Sequence, residues 1–170
     1  MGKVLNKISI IVAMSSNGVI GDKGGLLWHI KKDMESFKQI TMGHTVVMGY
    51  NTYMSLPKQK PLKGRRNIIL SSRLKDAPEG FEVAHHIEEV LEMIKNDDQT
   101  FVIGGGKVYE QFMDLASFMF VTYVDKEFYG DTMFPKIDLD EWELVRSQEI
   151  DDDPDVDFTY YFLDFRRKQE

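Results

Sequence analysis

Four short runs of almost unbroken apolar residues restrict the possible folds of this chain more than any other feature. They cover residues 8–13, 45–48, 67–70 and 100–103. Strands exposed on one face alternate apolar with polar residues, whereas parallel strands covered on both faces are apolar nearly throughout. The four runs are therefore typical of a parallel sheet buried between two layers.

Amphipathic helical patterns follow three of these runs. Residues 31–41, 87–95 and 106–115 carry apolar side chains three or four positions apart, which is the spacing of one helix face. Strands that alternate with helices in this way indicate βαβ units. The sequence therefore predicts an α/β fold with a parallel sheet.

The last third of the chain has a different pattern. Residues 118–124, 142–147 and 158–165 are predicted strands, and the last two are joined through an acidic run that contains Pro154. Such a run favours a solvated turn, so we expect an antiparallel hairpin at the C-terminal end. Asp153, Asp155 and Asp157 also have the 1-3-5 spacing of a calcium loop. Phe158 occupies the place of that loop's glycine, which disfavours calcium.

The composition limits the class of protein. The chain has 170 residues, 42% of them hydrophobic and 29% charged, and we expect residues 1–170 to form a single domain. It contains no cysteine, which excludes disulfides, thiolate metal sites and a cysteine nucleophile. A net charge of −7 argues against nucleic acid as the main partner, and the apolar run at 8–14 is too short to cross a bilayer. We therefore expect a cytoplasmic monomer that holds no metal and binds neither nucleic acid nor a membrane.

Three glycines, Gly104, Gly105 and Gly106, follow one predicted strand and open a helix. Backbone N–H groups in such a loop can approach a phosphate closely, although a tight turn would also explain the triplet. The dinucleotide fingerprint G-x-G-x-x-G fails because Tyr109 replaces its last glycine. The P-loop fails because Val108 stands where that motif needs serine or threonine.

Two further small or polar junctions follow predicted strands, at residues 49–52 and 71–73. Each alone could be an ordinary loop or helix cap. However, the carboxyl ends of parallel strands share one edge of a sheet, and ligands of open α/β folds bind there. The three junctions together therefore favour an extended, multiply phosphorylated ligand such as a dinucleotide.

A second group of candidate residues surrounds Asp33. A glycine-rich segment leads to Trp28, and Asp33 falls in the first turn of the next predicted helix. This carboxylate could be a surface residue favoured by the helix dipole, or it could face an apolar pocket and recognise the N–H donors of a heterocycle. In the second case burial raises its pKa. Arg65 could clamp a carboxylate or belong to a solvated basic turn.

Taken in order, these segments resemble the bacterial dihydrofolate reductases over residues 7–166. The matching motifs are Trp28 followed by Asp33 and Phe37, then 47–49 with Thr52, then 64–71, 102–106, and 130–135. The resemblance implies a single-domain, three-layer α/β fold with an eight-stranded, mostly parallel sheet and four main helices. It also implies the NADPH-dependent reduction of 7,8-dihydrofolate.

The resemblance further implies the roles of individual residues. Asp33, Trp28 and Leu26 would be catalytic, with Asp33 binding the pterin edge and promoting protonation at N5. The other implied substrate contacts are Ile11, Val12, Met34, Phe37, Leu56, Leu62, Arg65 and Thr122. The implied cofactor contacts are Ala13, Ile20, Gly21, Asn51, Thr52, Ser71, Ser72, Arg73, Ile103, Gly104, Gly105, Gly106, Lys107, Val108 and Tyr109.

Within these sets, Arg65 would take the α-carboxylate of the glutamate tail, and residues 71–73 would take the 2′-phosphate of NADPH. Residues 15–27 would form a mobile loop over the site. Folate-analogue inhibitors would be further ligands.

The chain departs from the family pattern at three positions. Leu27 and Lys31 stand where the family usually has proline, and Tyr50 stands where it usually has the arginine that pairs with the 2′-phosphate. The shape of Tyr50 suits stacking on the adenine. We therefore expect Arg73 to carry the preference for NADPH over NADH. The alternative functions are a reductase of another heterocycle, as in riboflavin synthesis, and a non-enzymatic nucleotide- or folate-binding module.

Overall fold

The described part of the chain is built around one mixed sheet with helices on both faces. The computed structural model describes residues 7–21 and 28–168. In this part of the chain, eight strands form the main sheet, and a short antiparallel pair stands apart from it. The strands are β1 (Lys7–Ser15), β2 (Val19–Gly21), β3 (Thr45–Gly49), β4 (Arg66–Leu70), β5 (Glu82–Ala84), β6 (Gln99–Val102), β7 (Phe118–Val124), β8 (Thr132–Met133), β9 (Trp142–Ile150) and β10 (Tyr160–Arg167). The helices are α1 (Lys31–Thr41), α2 (Tyr50–Ser55), α3 (Ile87–Met93) and α4 (Gly106–Phe112).

The main sheet has the strand order β5-β4-β3-β6-β1-β7-β10-β9. The first six strands run parallel, and β10 is antiparallel to both of its neighbours. β2 and β8 form the separate pair. The predicted α/β class, the eight-stranded mostly parallel sheet and the C-terminal antiparallel hairpin are all confirmed.

Successive residues of the buried strands pack into cores on opposite faces of the sheet. On β3, Val46 and Val47 are both fully buried, yet they belong to different apolar clusters. Val47 lies with Phe112 of α4, and Val46 lies with Ile40 of α1. This arrangement explains the unbroken apolar runs, because neither face of β3 meets water. It also confirms the predicted three layers.

The helix boundaries follow the sequence pattern closely. Helix α1 begins and ends where the apolar spacing predicts, at Lys31 and Thr41. Helices α3 and α4 end two and three residues before their predicted limits. Within the described residues, no helix is long and apolar enough to span a membrane.

The acidic run before β10 is a self-contained turn. Asp153 accepts a hydrogen bond from the Asp155 backbone at 3.0 Å and another from the Tyr160 hydroxyl at 2.6 Å. Strand β10 begins at Tyr160 rather than at the predicted residue 158, because Phe158 instead packs edge-on against Phe128. No group of three or more acidic, histidine or cysteine side chains in the described residues could hold a metal ion.

Candidate active site

The three small or polar junctions meet at the carboxyl ends of β4, β3 and β6, which are neighbours in the sheet. The Gly49 N–H donates to the carbonyl oxygen of Gly104 at 2.7 Å. Gly104 has a φ of +123°, and a Cβ built there would lie 3.3 Å from the Thr52 hydroxyl oxygen. A larger residue would therefore be strained and crowded, so glycine is required where these loops approach each other.

Helix α4 begins at Gly106 directly after this junction. Gly105 and Gly106 are half-buried and Lys107 is exposed, while the side chains of Val108 and Tyr109 are buried. The Tyr109 hydroxyl donates to the Ile11 carbonyl at 2.8 Å, and burial raises the pKa of that hydroxyl. Tyr109 thus ties α4 to the centre of β1, so it faces the core rather than solvent.

The third junction holds Arg73 beside Tyr50. The Arg73 backbone N–H donates to the Ser71 hydroxyl at 3.0 Å, which closes the turn after β4. The Arg73 guanidinium carbon then lies 4.8 Å from the centre of the Tyr50 ring. One face of that ring, which we expected to suit an adenine, is therefore covered by a cation. Ser72 and Asn51 are exposed nearby in the chain.

Asp33 projects from the first turn of α1 towards β7. Its Oδ1 accepts a 2.6 Å hydrogen bond from the hydroxyl of Thr122, which is buried. Burial raises the pKa of the Asp33 carboxyl, and the hydrogen bond from Thr122 opposes part of that effect. The structure therefore favours the apolar-pocket interpretation of Asp33 over that of a solvated helix-capping residue.

Arg65 is held in place at the C-terminal end of α1. Its Nε donates to the Lys63 carbonyl at 2.9 Å, and its NH1 donates to the Thr41 hydroxyl at 3.1 Å. Thr41 in turn donates to the Phe37 carbonyl at 2.8 Å. Both acceptors of Arg65 are neutral oxygen atoms, so these contacts orient the guanidinium without neutralising its charge.

Two residues that hold Arg65 in place were not predicted from the sequence. Thr41 is the buried acceptor described above, and Asn67 braces the turn that carries Leu62 and Arg65. The Asn67 side-chain amide donates to the carbonyls of Leu62 and Arg65 at 3.0 and 2.9 Å, and its oxygen accepts from the Leu62 N–H at 3.0 Å. An asparagine inside an apolar strand run was the available signal, because a buried amide needs partners.

The remaining predicted substrate residues surround Asp33 and the neighbouring strands. Phe37 and Ile11 line the same cavity as Asp33. Leu56 and Leu62 pack against the apolar cluster on that face of the sheet. Val12 instead packs into the cluster on the opposite face, so only its backbone can face this side. Met34 is 51% exposed.

The segment that would cover the site is described only in part. Ala13 and Ile20 are half-buried, and Gly21 is buried at the end of β2. Trp28 is half-buried, and its ring centre lies 4.9 Å from that of Phe128. Leu26 and Leu27 lie outside the described residues. Ile103, at the end of β6, is half-buried and packs against the cluster that contains Val46.

Comparison with known proteins agrees with this arrangement. Residues 7–167 match the family model described as dihydrofolate reductase. The chain is 35% identical over 161 residues to the dihydrofolate reductase of Bacillus subtilis strain 168, covering 95% of each chain. It is 35% identical over 162 residues to that of Staphylococcus aureus, covering 95% of this chain and 99% of the relative.

The structural comparison gives the same result. A solved structure of the dihydrofolate reductase from Enterococcus faecalis, complexed with NADP(H) and RAB-propyl, superposes with a TM-score of 0.90 at 30% identity. The match covers 97% of this chain and 98% of that one. On the family match, these identities and the shared fold, the chain belongs to the dihydrofolate reductase family.

Proposed function

We propose that this chain reduces 7,8-dihydrofolate to 5,6,7,8-tetrahydrofolate, with a hydride delivered to C6 and a proton to N5, and so supplies one-carbon metabolism. The observation that carries the proposal is Asp33, a carboxylate with a raised pKa that is held by Thr122 beside an apolar cavity. NADPH supplies the hydride when bound. The family membership disfavours a reductase of another heterocycle and a non-enzymatic binding module.

The residues at the strand ends fit a phosphorylated dinucleotide. A Cβ at Gly104 would lie 3.3 Å from the Thr52 hydroxyl, so glycine lets Thr52 stay close to this loop. The bare backbone at residues 104–106 can approach a phosphate closely. Ser71, Ser72 and Arg73 offer hydroxyls and a guanidinium at the next strand end, which suits a 2′-phosphate. The NADP(H) in the Enterococcus faecalis structure supports this assignment.

The proposed cofactor contacts comprise these strand-end loops and the end of β1. Ala13, Ile20 and Gly21 would flank the nicotinamide. Val108 and Tyr109 have buried side chains, so they would contribute through backbone atoms and by fixing the loop. The full proposed set is Ala13, Ile20, Gly21, Asn51, Thr52, Ser71, Ser72, Arg73, Ile103, Gly104, Gly105, Gly106, Lys107, Val108 and Tyr109.

The proposed substrate contacts hold the pterin against Asp33 and the tail against Arg65. Asp33 would accept hydrogen bonds from the N–H groups at the pterin edge, and its negative charge would favour protonation at N5. Arg65, oriented by Thr41, would bind the α-carboxylate of the glutamate tail. Folate-analogue inhibitors would occupy the same contacts. The remaining proposed contacts are Ile11, Val12, Met34, Phe37, Leu56, Leu62 and Thr122.

Trp28 and Leu26 complete the proposed catalytic set. Trp28 packs on Phe128 next to the start of α1, and would help to exclude water from the reacting rings. Leu26 would do the same from the segment that precedes it. We also propose that residues 1–170 form one domain that acts as a monomer, which size-exclusion chromatography with light scattering would test.

The proposed activity is tested by following NADPH absorbance with and without dihydrofolate. We expect oxidation of NADPH only when dihydrofolate is present.

Asp33→Asn should fold yet lose most of this activity at neutral pH, because an amide carries no negative charge. Glu35→Gln, an exposed change two residues along α1, is the matched control. Activity of Asp33→Asn within about twofold of the parent would contradict the role of Asp33.

A further inference from the structure

A partly enclosed cavity of about 200 Å³, walled mainly by apolar atoms, lies beneath α1, beside the Asp33 carboxylate. Asp33 and Ser36 line it from α1, Phe120 and Thr122 from β7, Phe162 and Asp164 from β10, and Arg146 from β9. Charges in a partly buried, mainly apolar wall are screened less than charges on an open surface. Asp33 shares this small, partly enclosed volume with the charged side chains of its wall.

Two of these wall residues form an ion pair between the edge strand and its neighbour. Asp164 and Arg146 stand opposite each other in the antiparallel register of β10 and β9. Arg146 NH1 lies 3.7 Å from Asp164 Oδ2, and its NH2 donates to the Gln148 side chain at 2.9 Å. The Asp164 side chain is only 16% exposed, whereas that of Arg146 is 56% exposed. Burial raises the pKa of Asp164, and Arg146 opposes that effect.

Apart from this ion pair, the side chains near Asp33 on β1, β7, α4 and β10 are neutral at physiological pH. Thr122 of β7 carries a hydroxyl, and Ile11 of β1 is apolar. Tyr109 of α4 and Tyr160 of β10 feel the charge of Asp33, but burial raises the pKa of both phenols, so they stay protonated. On α1 itself, the exposed Lys32 lies near enough to Asp153 to lower the pKa of that carboxyl. Among the described residues that line the cavity, the charges other than Asp33 are thus those of Arg146 and Asp164.

We propose that Arg146 and Asp164 are positioning residues that set the proton affinity of Asp33, and hence the pH range of the reaction, through this cavity. The intact pair presents little net charge to Asp33. Loss of either partner leaves one uncompensated charge in the wall of the cavity. The sign of that charge decides whether the proton affinity of Asp33 rises or falls. The consequence for catalysis rests on the proposed function, whereas the effect on Asp33 itself does not.

The test is a pH titration of the Asp33 carboxyl carbon by ¹³C NMR in the ligand-free protein, with the resonance assigned from its loss in Asp33→Asn. Asp164→Asn leaves the Arg146 cation unpaired and should lower the pKa of Asp33 by about 0.5 unit. Arg146→Gln leaves the Asp164 carboxylate unpaired and should raise it by a similar amount. The double variant should return to within about 0.2 unit of the parent.

A second ion pair between the same two strands provides the matched control. Arg166 lies 3.1 Å from Glu143 and lines no part of the cavity. Arg166→Gln should therefore leave the titration of Asp33 unchanged. Because Arg146 is more than half exposed, its variant should fold, and it keeps the test decisive if Asp164→Asn proves unstable.

The pH dependence of kcat/KM for dihydrofolate gives a second readout. An added positive charge disfavours protonation of Asp33 and of a pterin bound against it, so the profile should move in the same direction as the NMR titration. Shifts of one sign in both single variants, or no shift in either, would overturn the proposal. A parent enzyme without dihydrofolate reductase activity would instead refute the proposed function and leave the NMR result standing.

Discussion

Tyr50 begins helix α2 and Arg73 lies in the turn after β4, yet the Arg73 guanidinium covers the Tyr50 ring at 4.8 Å. The arginine that the family usually carries at residue 50 is thus replaced by a ring that supports an arginine from the turn after β4. A cation held over an aromatic face loses less freedom when it binds an anion. We infer that Tyr50 contributes to NADPH preference indirectly.

Arg73→Ala should lower the preference for NADPH over NADH about tenfold, equivalent to about 1.4 kcal/mol, and leave the use of NADH nearly unchanged. Tyr50→Leu should lower the preference by about two- to fivefold, in line with an exposed cation–π contact, whereas Tyr50→Phe keeps the ring and should have little effect. The measurement is kcat/KM with each cofactor. An unchanged ratio in Arg73→Ala would mean that this arginine is a solvated turn residue.

Arg65 offers a second prediction at the residue scale. Arg65→Leu removes a charge-assisted contact and should weaken dihydrofolate binding by roughly 2–4 kcal/mol, while NADPH binding stays close to that of the parent. Lys63→Leu is the matched control, because only the backbone of Lys63 contacts Arg65. Isothermal titration with dihydrofolate and with a pteridine that lacks the glutamate tail separates the two contributions. Equal losses for both ligands would refute the assignment.

At the scale of elements, one asparagine joins the turn after β1 to the loop between β7 and β8. The Asn17 amide donates to the Phe128 carbonyl at 3.0 Å and accepts from its N–H at 3.2 Å. The Ser15 hydroxyl also donates to Asn17, at 2.5 Å, and accepts from the Val19 N–H at 2.9 Å. This network fixes the backbone of Phe128, whose ring packs on Trp28.

Asn17→Ala should therefore loosen both segments without unfolding the sheet. We expect hydrogen exchange of the Phe128 amide to accelerate about tenfold or more, since its acceptor is lost, and exchange of the Val19 amide to accelerate less. Amides of β3, which is buried throughout, should not change. Asn96→Ala, in an exposed turn, serves as the control. Unchanged protection of Phe128 would show that Asn17 does not hold this loop.

The elements that sequence reasoning identified are those with a long local signal. The runs at 45–48 and 67–70 predicted β3 and β4 because both faces of each strand are buried. Strands β2 and β8 have three and two residues, too few for any periodicity to register. Their pairing depends on contacts between distant segments, which local patterns do not encode.

The residues of the candidate site also divide into those with a local sequence signal and those that only the fold brings together. Asp33 and the glycines at 104–106 could be identified from the sequence as candidates, because each lies at a strand or helix junction and has a recognisable chemical type. In the sequence, Ser36, Arg146 and Asp164 are ordinary polar residues, and only the tertiary arrangement of α1, β9 and β10 brings them to one cavity. The Arg73–Tyr50 contact could not be predicted either, since it joins the start of α2 to the turn after β4.

At the scale of the whole molecule, Asp33 links activity to stability. Its pKa is raised in the folded protein by burial, so ionisation of this group opposes folding. The stability that protonated Asp33 contributes is fully present at pH values below the pKa of Asp33 in the unfolded chain. This stability is lost as the pH rises through the higher pKa of Asp33 in the folded protein. Where Asp33 is ionised, the fold therefore carries a buried charge that the proposed chemistry requires but that lowers the stability of the protein.

Asp33→Asn should consequently be more stable than the parent at neutral pH, even though we expect it to be nearly inactive. In a chain of this size, each 1 kcal/mol added to the free energy of unfolding should raise the Tm on the order of 2–4 °C. This gain should shrink as the pH falls towards the ordinary pKa range of an aspartate, because the parent carboxyl is then also neutral. Differential scanning calorimetry across this pH range measures it, with Glu35→Gln as the exposed control on the same helix. A variant that is less stable than the parent at neutral pH would show that the hydrogen bond from Thr122 outweighs the desolvation of Asp33, the reverse of the order inferred from the structure.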